Sequence, residues 1–329
     1  MKPKVLLTRG LFPEATGLFD TDFDLEIGNT QRMLTKPELL EKAKGKDAVI
    51  TMMADTVDDT LFRAAPSIRI IANYAVGYNN VDVPATFKRN VPVIHTPDVL
   101  TDATADAAFA LLISVARRIP EAHTYVVEGR FKAWKPDLLL GQEFAGKTIG
   151  IIGMGRIGQA FAKRCAGFGL NIIYFSRTRL AKEKERMLGA TYAPLEELLK
   201  LADFISLHVP LTDQTHHLMD KNRLDLLKPT AILINTARGP VIDEGALIEK
   251  LRKGEIWGAG LDVYENEPDV PLSLRQLKNV VLLPHVASAT KEARLRMAKV
   301  LYDGLTAFFS GKVPENLVPE WKRHVELQK

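Results

Sequence analysis

One glycine-rich turn, set between an apolar run and a helical pattern, constrains the fold of this 329-residue chain more than any other feature. Lys147–Ile152 (KTIGII) reads as a buried strand, and Gly153-Met154-Gly155-Arg156-Ile157-Gly158 follows it directly. A helical pattern over Gln159–Phe168 and an apolar run at Asn171–Phe175 complete a strand-helix-strand unit. In that context Gly153 permits the tight turn, Gly155 lets the backbone approach a ligand, and Gly158 lets helix and strand pack closely. The N–H groups opening the helix have no partners within it and lie at the positive end of its dipole, so they suit an anion. The pattern predicts a dinucleotide pyrophosphate at this turn; the plainer reading is a structural glycine turn.

The adenosine end is read from the next strand terminus. A carboxylate there selects NAD by binding its ribose hydroxyls. This chain has Ser176-Arg177-Thr178-Arg179 instead, 18 residues beyond Gly158. Two hydroxyls and two guanidinium groups suit a 2′-phosphate, so NADP(H) is expected over NAD(H); a solvated basic turn is the rival.

Around this unit the chain alternates strands and helices. Before it, strands are expected at Lys4–Thr8, Ala48–Met52, Ile68–Ala72 and Val91–His95, with helical patterns at Lys36–Lys44 and Asp59–Ala65. After it, strands are expected at Asp203–Leu207, Ala231–Asn235, Gly258–Val263 and Val280–Leu283. Such alternation indicates α/β architecture with parallel sheets. A long alanine-rich helix is expected over Ala103–Arg117, an irregular stretch between structural units over Lys132–Gly146, and a last helix over Lys291–Phe309 before a proline-containing basic tail. That last helix can return to the first unit. The expected domains are therefore 1–100 with 287–329, and 101–286 for the dinucleotide.

Composition narrows the partners. A net charge of +4 over the whole length argues against nucleic acid and anionic membranes. No apolar run approaches the roughly 18 residues of a membrane helix, and the first residues do not read as a secretory signal. One cysteine, Cys165, makes no internal disulfide, so a reducing, cytoplasmic setting is expected. With one cysteine and no HExxH, no zinc site is expected.

Three ionisable residues stand just past presumed strand ends: Arg238 in NTARG, Glu267 in DVYENEP, and His285 in LPHVAS. Ligands of open α/β sheets bind on that side. Against them stand plainer readings: a surface arginine, a solvated acidic turn and a structural histidine. His216-His217, His95, His208, His123 and His324 have weaker claims as catalysts.

With Asn73–Asn80 (NYAVGYNN), the glycine turn, NTARG, DVYENEP and Pro284-His285 in this order, the chain resembles the D-isomer-specific 2-hydroxyacid dehydrogenases over essentially its whole length. Within that family it is most similar to the glyoxylate/hydroxypyruvate reductase branch, especially the archaeal type. The resemblance implies two doubly wound parallel-sheet domains, a flavodoxin-like substrate domain and a Rossmann cofactor domain. It implies that His285 is the general acid, that Glu267 hydrogen-bonds its imidazole and favours its charged form, and that Arg238 orients a 2-oxo acid. Substrate binding falls to Met52, the backbone N–H groups of Val76 and Gly77, Arg238, His285 and Ser288, between domains whose closure excludes water. Cofactor binding falls to Thr104, the Gly153–Gly158 turn, Ser176, Arg177, Thr178, Val209, Pro210, Thr236, Ala237, Arg238, Asp262, His285 and Ala287.

Ala287 departs from the family, which often has glycine there, and it is tolerable only if φ is negative. Val76 stands where phosphite-oxidising relatives carry lysine, and Glu267 where formate-oxidising relatives carry glutamine, so neither substrate is expected. The expected activity is NADPH-preferring reduction of glyoxylate and hydroxypyruvate. The alternatives are a broader D-2-hydroxyacid dehydrogenase of the D-lactate type, or a non-catalytic dinucleotide sensor like the family's corepressors. A homodimer is implied, with Ala103–Arg117 and the stretch after it at the interface.

Overall fold

The first sheet joins β1 (Lys4–Leu7), β2 (Asp24–Ile27), β3 (Ala48–Thr51), β4 (Ile70–Asn73) and β5 (Val93–Ile94) in the order β2-β1-β3-β4-β5, every pair parallel. The second joins β6 (Thr148–Ile152), β7 (Asn171–Phe175), β8 (Ala190–Tyr192), β9 (Phe204–Leu207), β10 (Ile232–Asn235), β11 (Gly258–Leu261) and β12 (Val280–Leu282). Its order is β12-β11-β10-β9-β6-β7-β8, also wholly parallel. The computed structural model describes residues 1–327. Both sheets are doubly wound, as the alternating pattern predicts. Inner strands such as β3, β4, β9 and β10 are buried at every position, which is why they read as unbroken apolar runs.

The sheets belong to two compact units, Met1–Leu100 with Thr290–Lys329, and Thr101–Ala289. The chain leaves the second unit at Thr290 rather than at the 287 of the sequence reading. The Val286 and Ala287 N–H groups donate to the Asp262 carboxylate at 2.7 and 2.8 Å, which ties that segment to the second sheet. Thr290 then caps the Lys291–Phe309 helix by accepting from the Ala293 N–H.

Several expectations change. One face of the Thr101–Ala116 helix is core: Ala105, Ala108, Leu111 and Leu112 are buried in the second unit, against the Arg156–Gly167 helix and β10 and β11. The irregular 132–146 stretch belongs within the second unit, where Gln142 donates its N–H to the Ala116 carbonyl and its side-chain amide to that of Thr230. The basic tail contains the Pro319–Leu327 helix, which buries Trp321 in the first unit's core and places His324 against Phe87 and Trp321. Short β2 and β8, with their exposed positions, carry too little apolar pattern to be read as strands.

Candidate active site

All the loops that carry the second unit's candidate residues leave the carboxyl edge of one parallel sheet. Gly153 follows β6, Ser176 follows β7, Val209 lies just past β9, Thr236 follows β10, Asp262 follows β11, and His285 lies just past β12. The strand order reverses between β6 and β9, the crevice where open α/β sheets hold ligands.

The glycine turn has the shape its pattern predicts. Gly153 has φ +98°, and a Cβ there would lie 2.4 Å from the His208 carbonyl oxygen; a Cβ on Gly158 would lie 2.1 Å from the Gly153 carbonyl oxygen. Gly155 is the N-cap of the Arg156–Gly167 helix, with no side-chain cap and nothing within 4 Å of a Cβ position. The backbone at the helix start is therefore open to close approach on the Gly155 side, and Arg156, Ile157 and Gly158 form the first turn rather than preceding it. The Thr236 hydroxyl is buried without a hydrogen-bond partner, an orphan that a ligand polar group would satisfy. Together these residues fit a dinucleotide. Met154 and Thr104 are buried, Val209 and Ala237 partly so, and Pro210 is exposed, its carbonyl accepting from the Thr215 hydroxyl.

At the β7 end the two arginines part company. Arg179 forms a bidentate pair with Glu185 at 2.8 and 3.0 Å and lies over the Tyr192 ring. The Tyr174 hydroxyl donates to the same carboxylate. Arg177 and Thr178 are exposed, Ser176 is half-buried, and Arg177 has no hydrogen-bond or ion-pair partner among the described residues.

The ionisable trio is assembled by close backbone packing. A Cβ on Gly239 would lie 1.8 Å from the Tyr264 carbonyl oxygen, so only glycine lets the Arg238 segment lie against the Tyr264–Glu267 turn. The Asn235 side chain braces that segment, donating to the Arg238 carbonyl and accepting from the Ala237 N–H. Arg238 itself donates to the Ala237 carbonyl at 2.6 Å. Burial pulls its guanidinium pKa down, and the Glu267 charge opposes this. The Glu267 carboxylate accepts the Tyr264 N–H at 3.0 Å and meets His285 Nδ1 at 2.6 Å. Burial pushes the Glu267 carboxyl up, but the His285 hydrogen bond and charge, the Tyr264 N–H and Arg238 outweigh it and hold it below its ordinary range. His285 has φ +56° and a side chain 28% exposed, and its Nε2 has no hydrogen-bond partner among the described residues. A histidine held at one nitrogen by a carboxylate and open at the other is arranged to pass a proton.

Asp262 has a use that its position in the sequence did not suggest. It is fully buried, and its two oxygens take the Val286 and Ala287 N–H groups, so it fixes the His285 loop. Burial pushes its carboxyl up despite those bonds. Ala287 is not among the positive-φ residues, so its methyl is accommodated; the left-handed residue of this loop is His285 itself. Ser288 is half-buried beside it.

In the first unit, Met52, Val76 and Gly77 are partly buried. The Val76 carbonyl meets His95 Nδ1 at 2.8 Å, and the Gly77 carbonyl accepts the Asn73 amide at 2.9 Å. The N–H groups of Val76 and Gly77 have no acceptor among the described residues. Asn73, Asn80 and His95, which anchor this loop, were not singled out as site residues from the sequence. Polar side chains that bind backbone carry no periodic signature.

Comparison with known proteins agrees with this geometry. Residues 109–287 match the family model described as D-isomer specific 2-hydroxyacid dehydrogenase, NAD binding domain. The chain is 51% identical over 322 residues to the glyoxylate reductase of Thermococcus litoralis, covering 97% of each. It is similar to the crystal structure of the TT0316 protein from Thermus thermophilus (44% identity, TM-score 0.90, 96% of this chain and 99% of that one). It is also similar to an NADPH-dependent glyoxylate/hydroxypyruvate reductase from Sinorhizobium meliloti in complex with NADP and malonate (35% identity, TM-score 0.85, 97% and 98% covered).

Proposed function

The chain belongs to the D-isomer specific 2-hydroxyacid dehydrogenases, and from that premise we propose that it is an NADPH-preferring reductase of small 2-oxo acids, glyoxylate first and hydroxypyruvate second. It is an oxidoreductase with a nicotinamide-dinucleotide domain. The observation that carries the substrate reading is the 51% identity to a glyoxylate reductase over 97% of both chains.

The Gly153–Gly158 turn would hold the pyrophosphate, with Thr104 near the phosphates, and Ser176, Arg177 and Thr178 at the adenosine 2′ position. Val209, Pro210, Thr236, Ala237, Asp262 and Ala287 would line the nicotinamide and its ribose. When bound, the cofactor supplies the hydride. His285 delivers a proton from Nε2 to the substrate carbonyl oxygen, held in place by Glu267 through Nδ1. Arg238 orients the 2-oxo acid and stabilises the charge growing on its oxygen, an effect strengthened by its burial. Ser288, three residues beyond His285, would contact the substrate. In the first unit, Met52 and the N–H groups of Val76 and Gly77 would bind the substrate carboxylate; the support is that both N–H groups lack an acceptor while their carbonyls are fastened.

A homodimer is part of the proposal, with the expected interface of the long helix and the irregular stretch after it extended to include the Ile119–Val127 helix. That helix buries none of its residues, and Val127 (70%), Trp134 (78%) and Leu140 (60%) are widely exposed. Sedimentation at micromolar concentration should show a dimer.

The deciding assay is initial-rate NADPH and NADH oxidation with glyoxylate and with hydroxypyruvate. The expected outcome is fastest turnover of NADPH with glyoxylate. Turnover only of larger oxo acids would replace the substrate, and silence with cofactor still bound would replace the enzyme by a sensor. His285→Gln should lower kcat by about 10²–10⁴-fold and change the NADPH Kd far less.

A further inference from the structure

His216, His217 and Glu265 lie outside the catalytic trio and serve no step of the reaction above. Their ligand atoms, one per residue, all lie within 4.8 Å of one another, the only such group among the described residues. We propose that they form a binding site for a divalent first-row transition cation of the zinc class.

The backbone brings the two histidines together. Neighbouring side chains on an extended strand point to opposite faces. His217 instead adopts φ +47°, and the two imidazoles stack with centroids 4.1 Å apart. A left-handed non-glycine residue carries strain of order 1 kcal/mol and persists where its surroundings dictate it. Here they do: the His217 N–H donates to the Pro240 carbonyl at 2.8 Å and the Met219 N–H to that of Val241 at 2.9 Å. The third donor comes from a different loop. Glu265 Oε1 meets His217 Nε2 at 2.7 Å, and the Glu265 N–H donates to Glu244 at 3.2 Å.

The donor set selects the ion. Two imidazoles and one carboxylate suit zinc, nickel, copper or cobalt, and hard all-oxygen cations poorly. Ligands about 2.0–2.1 Å from a tetrahedral ion stand roughly 3.3 Å apart. The 2.7 Å His217–Glu265 contact therefore opens by roughly half an ångström, and the exposed His216 ring swings in. Water completes the shell. A second acid lies next to the site: Glu244 is buried, and its carboxylate accepts the Glu265 N–H.

The test uses the untagged full chain, stripped of metal with a chelator and titrated with Co2+ while visible absorption and bound heat are recorded. One equivalent should bind, give the absorption of four-coordinate cobalt, and be displaced by Zn2+ but not by Mg2+. His216→Ala, a change at an exposed side chain, and Glu265→Gln should each weaken Co2+ binding by at least about tenfold. Unchanged affinity in His216→Ala would overturn the proposal, since the ion would then sit elsewhere, for instance at His285 and Glu267. So would the absence of stoichiometric binding to the parent chain, or displacement by Mg2+.

Discussion

Arg177 and Arg179 are two positions apart and both exposed, yet the fold gives them different surroundings. Arg179 is held by Glu185 and Tyr192, whereas Arg177 has no partner among the described residues. Arg177→Ala should therefore raise KM for NADPH about tenfold, the loss of roughly one charge-assisted hydrogen bond, with little change for NADH. Arg179→Ala should leave that ratio nearly unchanged; equal effects of the two on NADPH would show that both face the phosphate. Glu267 yields a pH prediction. Its folded-state pKa is depressed, so its contribution to stability is complete above the unfolded value near pH 4 and is lost as pH falls through the lower folded value. Denaturant midpoints of the parent should drop over that acid window, while those of Glu267→Gln lose this component; parallel curves would refute the assignment.

The strand-turn-helix at β6 separates folding from binding within three residues. Gly153→Ala must place a methyl at φ +98° against the His208 carbonyl, at a cost of about 1–3 kcal/mol or more, so its melting temperature should fall. Gly155→Ala meets nothing within 4 Å and has φ −73°, so it should fold like the parent and lose dinucleotide affinity instead. Equal stability in both variants would contradict the geometry. This element was almost fully legible in the sequence, because a buried strand, a glycine triplet and a helix are local patterns. The Thr101–Ala116 helix was legible as a helix, but its core face was not. Its alanine-rich sequence shows that it folds, and only the sheet and helix packed against it show what covers it. The Pro319–Leu327 helix was read as a tail because it buries only Trp321, too little apolar pattern to register.

The second unit is one continuous stretch, Thr101–Ala289, whereas the first is closed by a returning segment whose Met297, Leu301 and Leu305 lie in its core. A fragment spanning 101–289 should therefore fold cooperatively and bind NADPH by itself, while 1–100 without the returning helices should not fold. Circular dichroism and dinucleotide titration of the two fragments check this, and an unfolded 101–289 fragment would contradict it. The sequence by itself determined the parallel α/β architecture, the strand-turn-helix at the glycine triplet and the place of Arg238, Glu267 and His285 just past strand ends, because period, glycine placement and strand-end position are properties of neighbours along the chain. Tertiary structure alone decided that Glu267 meets His285 at 2.6 Å, that Asp262 fixes the loop beside it, that Arg179 is engaged, and that Glu265 meets a pair of stacked histidines. Hydrogen bonds and charges act through space over a few ångströms, and a linear sequence does not carry those separations.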